Sequence, residues 1–216
     1  MSRAVGLLLA LTLVPGALPA QDAAAIIGRS SRVYRSLSSL RADFVQVIDN
    51  PMIDSAESRG TLVQAGQDKL AMRFSDPPGE AIVIDGRHVW VYTPSTTPGQ
   101  VLRMSVPSGG PVYGYNLLAW LLDRPAERYT ASFVRRDRLN GRAVDLVRLV
   151  PAVPDLPFDR AVVWLDREDA LPRRLEIAEH GGATRTLTLS KVRTNQPVSQ
   201  DTFTFKAPAG VRVVDQ

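Results

Sequence analysis

Residues 69–74 read Lys69-Leu70-Ala71-Met72-Arg73-Phe74. Leu70, Met72 and Phe74 fall on one side and Lys69, Ala71 and Arg73 on the other, the two-residue period of a strand with one wet face. Just downstream, residues 81–84 and 88–92 flank Asp85-Gly86-Arg87, a hairpin signal because Gly tolerates the positive φ of a tight reversal. Upstream, Leu40, Ala42, Phe44 and Ile48 alternate with Arg41, Asp43 and Asp49, and residues 61–64 supply a short strand between. Further strands are predicted at 101–104, 129–135, 143–150, 160–165, 175–179 and 184–192. They are separated by Asn140-Gly141, a Pro-rich stretch at 150–158, an acidic turn at 166–169 and Gly181-Gly182. Connections this short join antiparallel neighbours, because a parallel pair needs a crossover of about a dozen residues or more.

Two segments change to a helical period. Over residues 23–40, Ile26, Ser30, Val33, Leu37 and Leu40 recur at steps of three and four, with Arg29, Arg32, Arg35 and Ser36 on the other face. Over 112–122, Leu117, Leu118, Leu121 and Leu122 with Tyr113 and Trp120 make a helix apolar on nearly all sides, started by Pro111 and stopped by Pro125. The predicted class is α+β, mainly β: a single curved antiparallel sheet of about ten strands with helices over its concave face. A sheet that large curls, and its concave face must be filled by side chains, helices or a ligand. The chain has only 14 Phe, Trp and Tyr residues, which favours a groove of Leu, Ile, Val and Met; helices completing a solid core are the alternative. No linker splits residues 21–216, so they are expected to form one domain.

Composition closes several function classes. The 216 residues are 44% hydrophobic and 22% charged, which is globular, and 26 Lys and Arg exceed 22 Asp and Glu by only four, with no concentrated basic arm. Nucleic acid is therefore not an expected partner. Without cysteine there is no disulfide framework, zinc ribbon or cysteine nucleophile. The two histidines, His88 and His180, have no carboxylate at ligand-like spacing, so no metal or cofactor is expected. Nucleophile-elbow, dinucleotide-binding, P-loop and zinc-protease patterns are all missing, and Ser108-Gly109-Gly110 has no general base beside it. Asp166, Glu168 and Asp169 read as a solvated turn. The chain is not expected to be an enzyme. Arg3, an uncharged run over residues 4–14, the break Pro15-Gly16 and Leu18-Pro19-Ala20 together read as a secretory signal cleaved near Ala20, giving an exported product compatible with a bacterial periplasm.

At the level of ordered motifs the chain resembles the LolA-type outer-membrane lipoprotein carriers. The likeness is carried by Leu40-Arg-Ala-Asp-Phe-Val-Gln46, by Gly60-Thr-Leu-Val63, and by the run from Leu70 to Pro77. It continues through Ile82-Val-Ile-Asp-Gly86, Val89-Trp-Val-Tyr-Thr-Pro94 and the tail from Phe203 to Asp215. The resemblance implies an unclosed β-barrel lidded by α-helices, a monomer that shields lipoprotein acyl chains while they cross the periplasm. It also implies an inner-membrane ABC-type release complex as donor and an outer-membrane lipoprotein receptor as acceptor. Carried onto this chain, it places Phe44, Leu70, Met72, Phe74, Ile82, Ile84, Val89 and Val91 in the acyl groove and Leu117, Leu118 and Leu121 on the lid; whether Val89 and Val91 or Trp90 and Tyr92 face inward stays open. Each methylene withdrawn from water contributes about 0.8 kcal/mol, roughly 13 kcal/mol for a sixteen-carbon chain, so cargo does not escape into water. A lid whose leucines compete for the groove provides the balance between capture and release. One departure stands out: the arginine by which the family latches its lid falls on Gly66, which cannot donate a side-chain hydrogen bond. That departure makes room for a second reading, a signalling module of the same architecture that binds an anti-sigma-type membrane partner. An acyl-directed enzyme using Ser108 or His88 ranks last.

Overall fold

A computed structural model describes residues 20–106, 114–153 and 156–216. The signal segment at 1–19, the start of the second predicted helix with Pro111 and Tyr113, and Ser108 lie outside the described residues. Helix α1 (Ala20–Ser36) leads into strands β1 (Ser39–Asn50), β2 (Ile53–Ala65), β3 (Lys69–Asp76), β4 (Pro78–Asp85), β5 (His88–Tyr92) and β6 (Gln100–Ser105). Two short helices follow, α2 (Leu117–Leu122) and α3 (Pro125–Arg128). Strands β7 (Tyr129–Leu139), β8 (Arg142–Pro151), β9 (Phe158–Asp166), β10 (Pro172–Glu179) and β11 (Thr184–Thr194) come next, and after a 3₁₀ turn at Gln200–Phe203 the chain ends in β12 (Arg212–Asp215).

All twelve strands form one sheet in the order β12-β6-β5-β4-β3-β2-β1-β11-β10-β9-β8-β7. Two consecutive meanders, β1 to β6 and β7 to β11, are joined where β1 pairs with β11, Phe44 facing Leu189 and Gln46 facing Leu187. The open, curved, mainly β architecture is the predicted one, with two corrections. Strand β2 is far longer than residues 61–64, because Asp54, Ser55, Glu57 and Ser58 are wet on both faces and carry no alternation to read. And β12 pairs parallel with β6, Val213 facing Val101, because residues 195–211 cross the convex face of the sheet and supply the long connection that parallel pairing requires.

That crossing gives β2 to β5 a second buried face. Val63, Ala71, Val83 and Phe203 form an outer cluster with Trp90 and Phe205 packed on it, the two rings stacked 5.7 Å apart. Ala71, expected on the wet side with Lys69 and Arg73, is thus 1% exposed. The hairpin at Asp85 forms as predicted: Gly86 has φ +96°, and the Asp85 carboxylate accepts from Arg87 N and His88 N, both at 2.7 Å, and from Trp90 Nε1 at 2.9 Å.

Helix α1 lies over the β7–β9 half of the concave face. Its buried stripe is Ala23, Ile27, Ser30, Ser31 and Tyr34, rotated from the predicted one; Ile26, Val33 and Leu37 only flank it. The helix stops at Ser36, whose hydroxyl turns back to Val33 O (2.7 Å), and Leu40 belongs to β1, opposite Gln64 and Thr194. The acidic turn is also corrected. Asp166 is 3% exposed, accepts from Arg142 Nε, and lies 3.2 Å from Nε of the equally buried Arg173, while Glu168 N donates to it at 2.9 Å. Burial pushes its carboxyl up, but the Arg142 hydrogen bond and its neighbours prevail and hold it below the ordinary carboxylate range. From α1, Arg29 Nη2 donates to Glu168 O at 3.2 Å and pins the helix to this turn.

Candidate functional site

The concave face is apolar because alternation puts the same side of each strand inward. Leu62, Met72, Ile82 and Val91 lie in register across β2 to β5, and so do Leu70, Ile84 and Val89 across β3 to β5. Of the predicted groove residues, Phe44, Leu70, Met72, Ile84 and Val89 are buried in the main core, while Phe74, Ile82 and Val91 are half-buried against it. The structure therefore turns Val89 and Val91 inward and leaves Trp90 and Tyr92 against Phe205 on the convex side. Phe44 and Phe74 meet edge to face at 5.1 Å between centroids. The backbone permits this because Gly60, opposite both rings' residues, brings β2 so close to β3 that a β-carbon would stand 2.1 Å from Arg73 O.

Helix α2 sits inside this concavity. All six of its residues are buried, with Leu117 at 5%, Leu118 at 1% and Leu121 at 0% exposure, and all join the same cluster as the groove residues. Asn116 caps its start, Oδ1 accepting from Ala119 N at 3.2 Å. Trp120 anchors the far side, edge-on to Phe158 at 5.2 Å and beneath the Arg128 guanidinium at 4.5 Å. Between the start of α2 and the sheet remains a cavity of about 80 Å³, lined by Leu62, Leu70, Met72, Ile82, Leu117, Leu118 and Leu187, with Gln46, Tyr115 and Arg185 at its polar end. Small-molecule sites span about 300–1,000 Å³, so the space left beside α2 is well below the size of a ligand site.

The helix is held shut without the family's arginine. Gly66, at φ +58°, accepts from Gln64 Nε2 at 2.8 Å, and Gln64 Oε1 accepts from Tyr34 Oη at 2.7 Å, so this position ties α1 to β2 rather than holding the lid. The carbonyls around α2 find other donors. Ser31 Oγ donates to Leu122 O at 2.7 Å, Arg128 Nη1 to Trp120 O at 2.9 Å, and Arg185 Nη1 to Gly114 O at 3.1 Å, where φ is +86°. Tyr129 Oη adds a bond to Trp120 O at 3.4 Å; burial raises this phenol to about 12, so it stays a neutral donor. Sequence reading missed Ser31, Arg128 and Arg185 because they come from three separate elements and share no spacing; the one-turn step from Ile27 to Ser31 was the one available trace. Each tie is a single hydrogen bond worth about 1 kcal/mol net, so α2 is fastened by bonds that can be exchanged one at a time.

Elsewhere the chemistry is structural. His88 lies 3.8 Å from Asp85 and His180 3.6 Å from Asp159, both at the surface. Among the described residues no group of three or more His, Asp and Glu is placed to hold a metal ion, and no helix is long and apolar enough to cross a membrane.

Comparison with known proteins agrees with this geometry. An outer-membrane lipoprotein carrier protein of Methylobacillus flagellatus is 25% identical over 186 residues, 85% of each chain. Its counterpart from Alkalilimnicola ehrlichii is 26% identical over 215 residues, 98% of this chain and 94% of that one. Among solved structures, an uncharacterised conserved protein of Thermus thermophilus superposes with a TM-score of 0.59 at 13% identity, covering 91% of this chain and all of that one. MucB superposes with a TM-score of 0.53 at 17% identity over 90% of this chain but 66% of its own length. The family model described as outer membrane lipoprotein carrier protein LolA matches residues 35–206, and the chain belongs to that family.

Proposed function

We propose that this protein is a non-enzymatic, monomeric periplasmic carrier that shields the acyl chains of lipoproteins on their way from the inner to the outer membrane. The observation that carries the reading is that α2, three of whose leucines fill the concave apolar face, is fastened there by exchangeable hydrogen bonds. Returning Leu117, Leu118 and Leu121 to partial contact with water costs about 2 kcal/mol each, whereas one sixteen-carbon chain gains roughly 13 kcal/mol by leaving it. Cargo therefore displaces the lid, and the lid's return favours delivery. The relatives' names, outer-membrane lipoprotein carrier protein, support the same cargo. In this reading an inner-membrane ABC-type complex hands cargo over, an outer-membrane receptor takes it, and no cofactor, metal or nucleic acid takes part. The alternative, a signalling module with an anti-sigma-type membrane partner, draws on the likeness to MucB; that likeness leaves a third of MucB without counterpart, whereas the two carriers match over 85% and 94% of their length.

The test is photo-crosslinking in the envelope from benzoylphenylalanine placed at Met72 or at Trp90. Crosslinks to lipoproteins at Met72 only, lost when the lipoprotein's acylated cysteine is changed to Ser, are the expected result. Equal crosslinking at the convex Trp90, or indifference to acylation, contradicts the reading.

A further inference from the structure

Two large apolar side chains stand in water at one tip of the molecule. Met52 is 86% exposed and Ile53 70%, whereas no other exposed large apolar residue among those described exceeds 41%. Met52 lies in the turn between β1 and β2 and Ile53 opens β2 opposite Asn50, and the register explains why nothing covers them. The pairing of β3 with β2 ends at Asp76 opposite Arg59, and that of β11 with β1 ends at Thr184 opposite Asp49. From Ile53 to Ser58 the outer edge of β2 is therefore free, while β11 stays beside β1 to within one residue of its end, so the hairpin projects as a finger on the β2 side and only its turn stands clear of both neighbours. Its turn is shaped, with Pro51 fixing the backbone and Met52 N donating to Asn50 Oδ1 at 3.0 Å. Alongside lies the β10–β11 turn, where a β-carbon on Gly182 would stand 3.5 Å from Pro51 and Gly181 would meet nothing, so no bulk shields the tip.

The finger rises from the mouth of the cavity. Gln46 and Leu187, which face one another, and Arg185, opposite Ile48, all line the cavity under α2; Met52 lies six residues beyond Gln46, at most about 20 Å away. We infer that the Met52–Ile53 tip inserts into the headgroup layer of a lipid bilayer with neutral headgroups. Two apolar side chains flanked by wet residues fall far short of the roughly 1,000 Å² that a specific protein interface buries, but shallow insertion into a bilayer needs no complementary partner surface. Charge selects the lipid. Glu57 is paired with Arg59 at 2.6 Å and Asp43 with Lys191 at 2.8 Å, which leaves Asp49 and Asp54, the two acids at the tip, to repel an anionic surface while zwitterionic headgroups do not. Asp49 and Asp54, bracketing the turn and exposed, also limit its depth. The inference rests on the carrier reading for the use of this contact, opening the groove at a membrane surface, and not for the contact itself.

The test compares the protein recovered from the envelope with its Met52→Glu/Ile53→Glu variant, identical at the N-terminus, in two assays: flotation with phosphatidylcholine vesicles, with and without phosphatidylglycerol, and uptake of a fluorescent sixteen-carbon fatty acid. The wild type is expected to float with phosphatidylcholine vesicles independently of salt and less well once phosphatidylglycerol is added. The variant is expected to float at least tenfold less with an unchanged melting temperature and unchanged fatty-acid uptake. A wild type that does not float, a variant that floats equally well, or binding confined to anionic vesicles each overturn the inference. Tip-dependent flotation without fatty-acid uptake would uphold it and count against the carrier reading instead.

Discussion

At Gly60 the absence of one carbon sets the geometry of the groove floor. Because the Arg73 carbonyl is backbone and cannot swing aside, Gly60→Ala is expected to cost about 2–3 kcal/mol, read as a lower denaturant midpoint at unchanged slope. Asp166 makes a second residue-scale prediction. Its carboxyl lies below the ordinary range when folded, so the stability it contributes is complete above the unfolded value, near 4, and is lost as the pH falls through the folded value. The melting temperature of the wild type should drop across that window, and Asp166→Asn should flatten the drop while costing about 3 kcal/mol at pH 7, because Arg173 keeps its burial and loses a partner. An unchanged pH profile in the variant would contradict this. Neither residue announced itself in the sequence. Asp166-Arg167-Glu168-Asp169 has the composition of a wet turn, and what buries it, Arg142 and Arg173, arrives from the neighbouring strands.

Among the elements, α2 is the one whose stability sets ligand uptake in the proposed function. Ser31→Ala leaves the Leu122 carbonyl without its donor, and loosening the closed form by about 1.4 kcal/mol raises the open population tenfold. Hydrogen exchange across residues 117–122 should speed up and the apparent affinity for a sixteen-carbon fatty acid should rise by about that factor; faster exchange with unaltered affinity would separate lid motion from binding. The leucines of α2 were legible because a helix apolar all round must be enclosed, and the β3–β5 alternation was legible because one face carried charge or a turn at its end. The fasteners were not legible, since a donor reaching a carbonyl across the barrel has no local pattern. The end of α1 was misplaced for a related reason: Leu40 stands three residues after Leu37 and two before Ala42, so it fits the helical and the strand period alike, and only its pairing with Gln64 decides between them.

Over the whole molecule, the sheet serves two interiors. The C-terminal segment seals the convex side, where Phe203 is 4% exposed and Arg103 joins β6 to β12 through Asp215 at 2.7 Å. Phe203→Ala is expected to cost about 3–4 kcal/mol without changing fatty-acid affinity, since the outer cluster is separate from the groove; a loss of affinity in a protein of intact fold would show the two faces to be coupled. The open sheet was legible strand by strand, but the parallel closure by β12 was not, because it depends on where a seventeen-residue crossing (residues 195–211) lands rather than on its own four residues. In the proposed function, α2 occupies the place of an acyl chain. Of the three tryptophans, only Trp120 lies on α2, so a Trp90→Phe/Trp164→Phe protein reports on the lid alone. Titrated with a diacylglyceryl-cysteine peptide of sixteen-carbon chains, its emission should shift to the red saturably, in step with ligand bound and with one ligand per protein. Ligand binding that leaves Trp120 emission unmoved, or no binding at all, would contradict it.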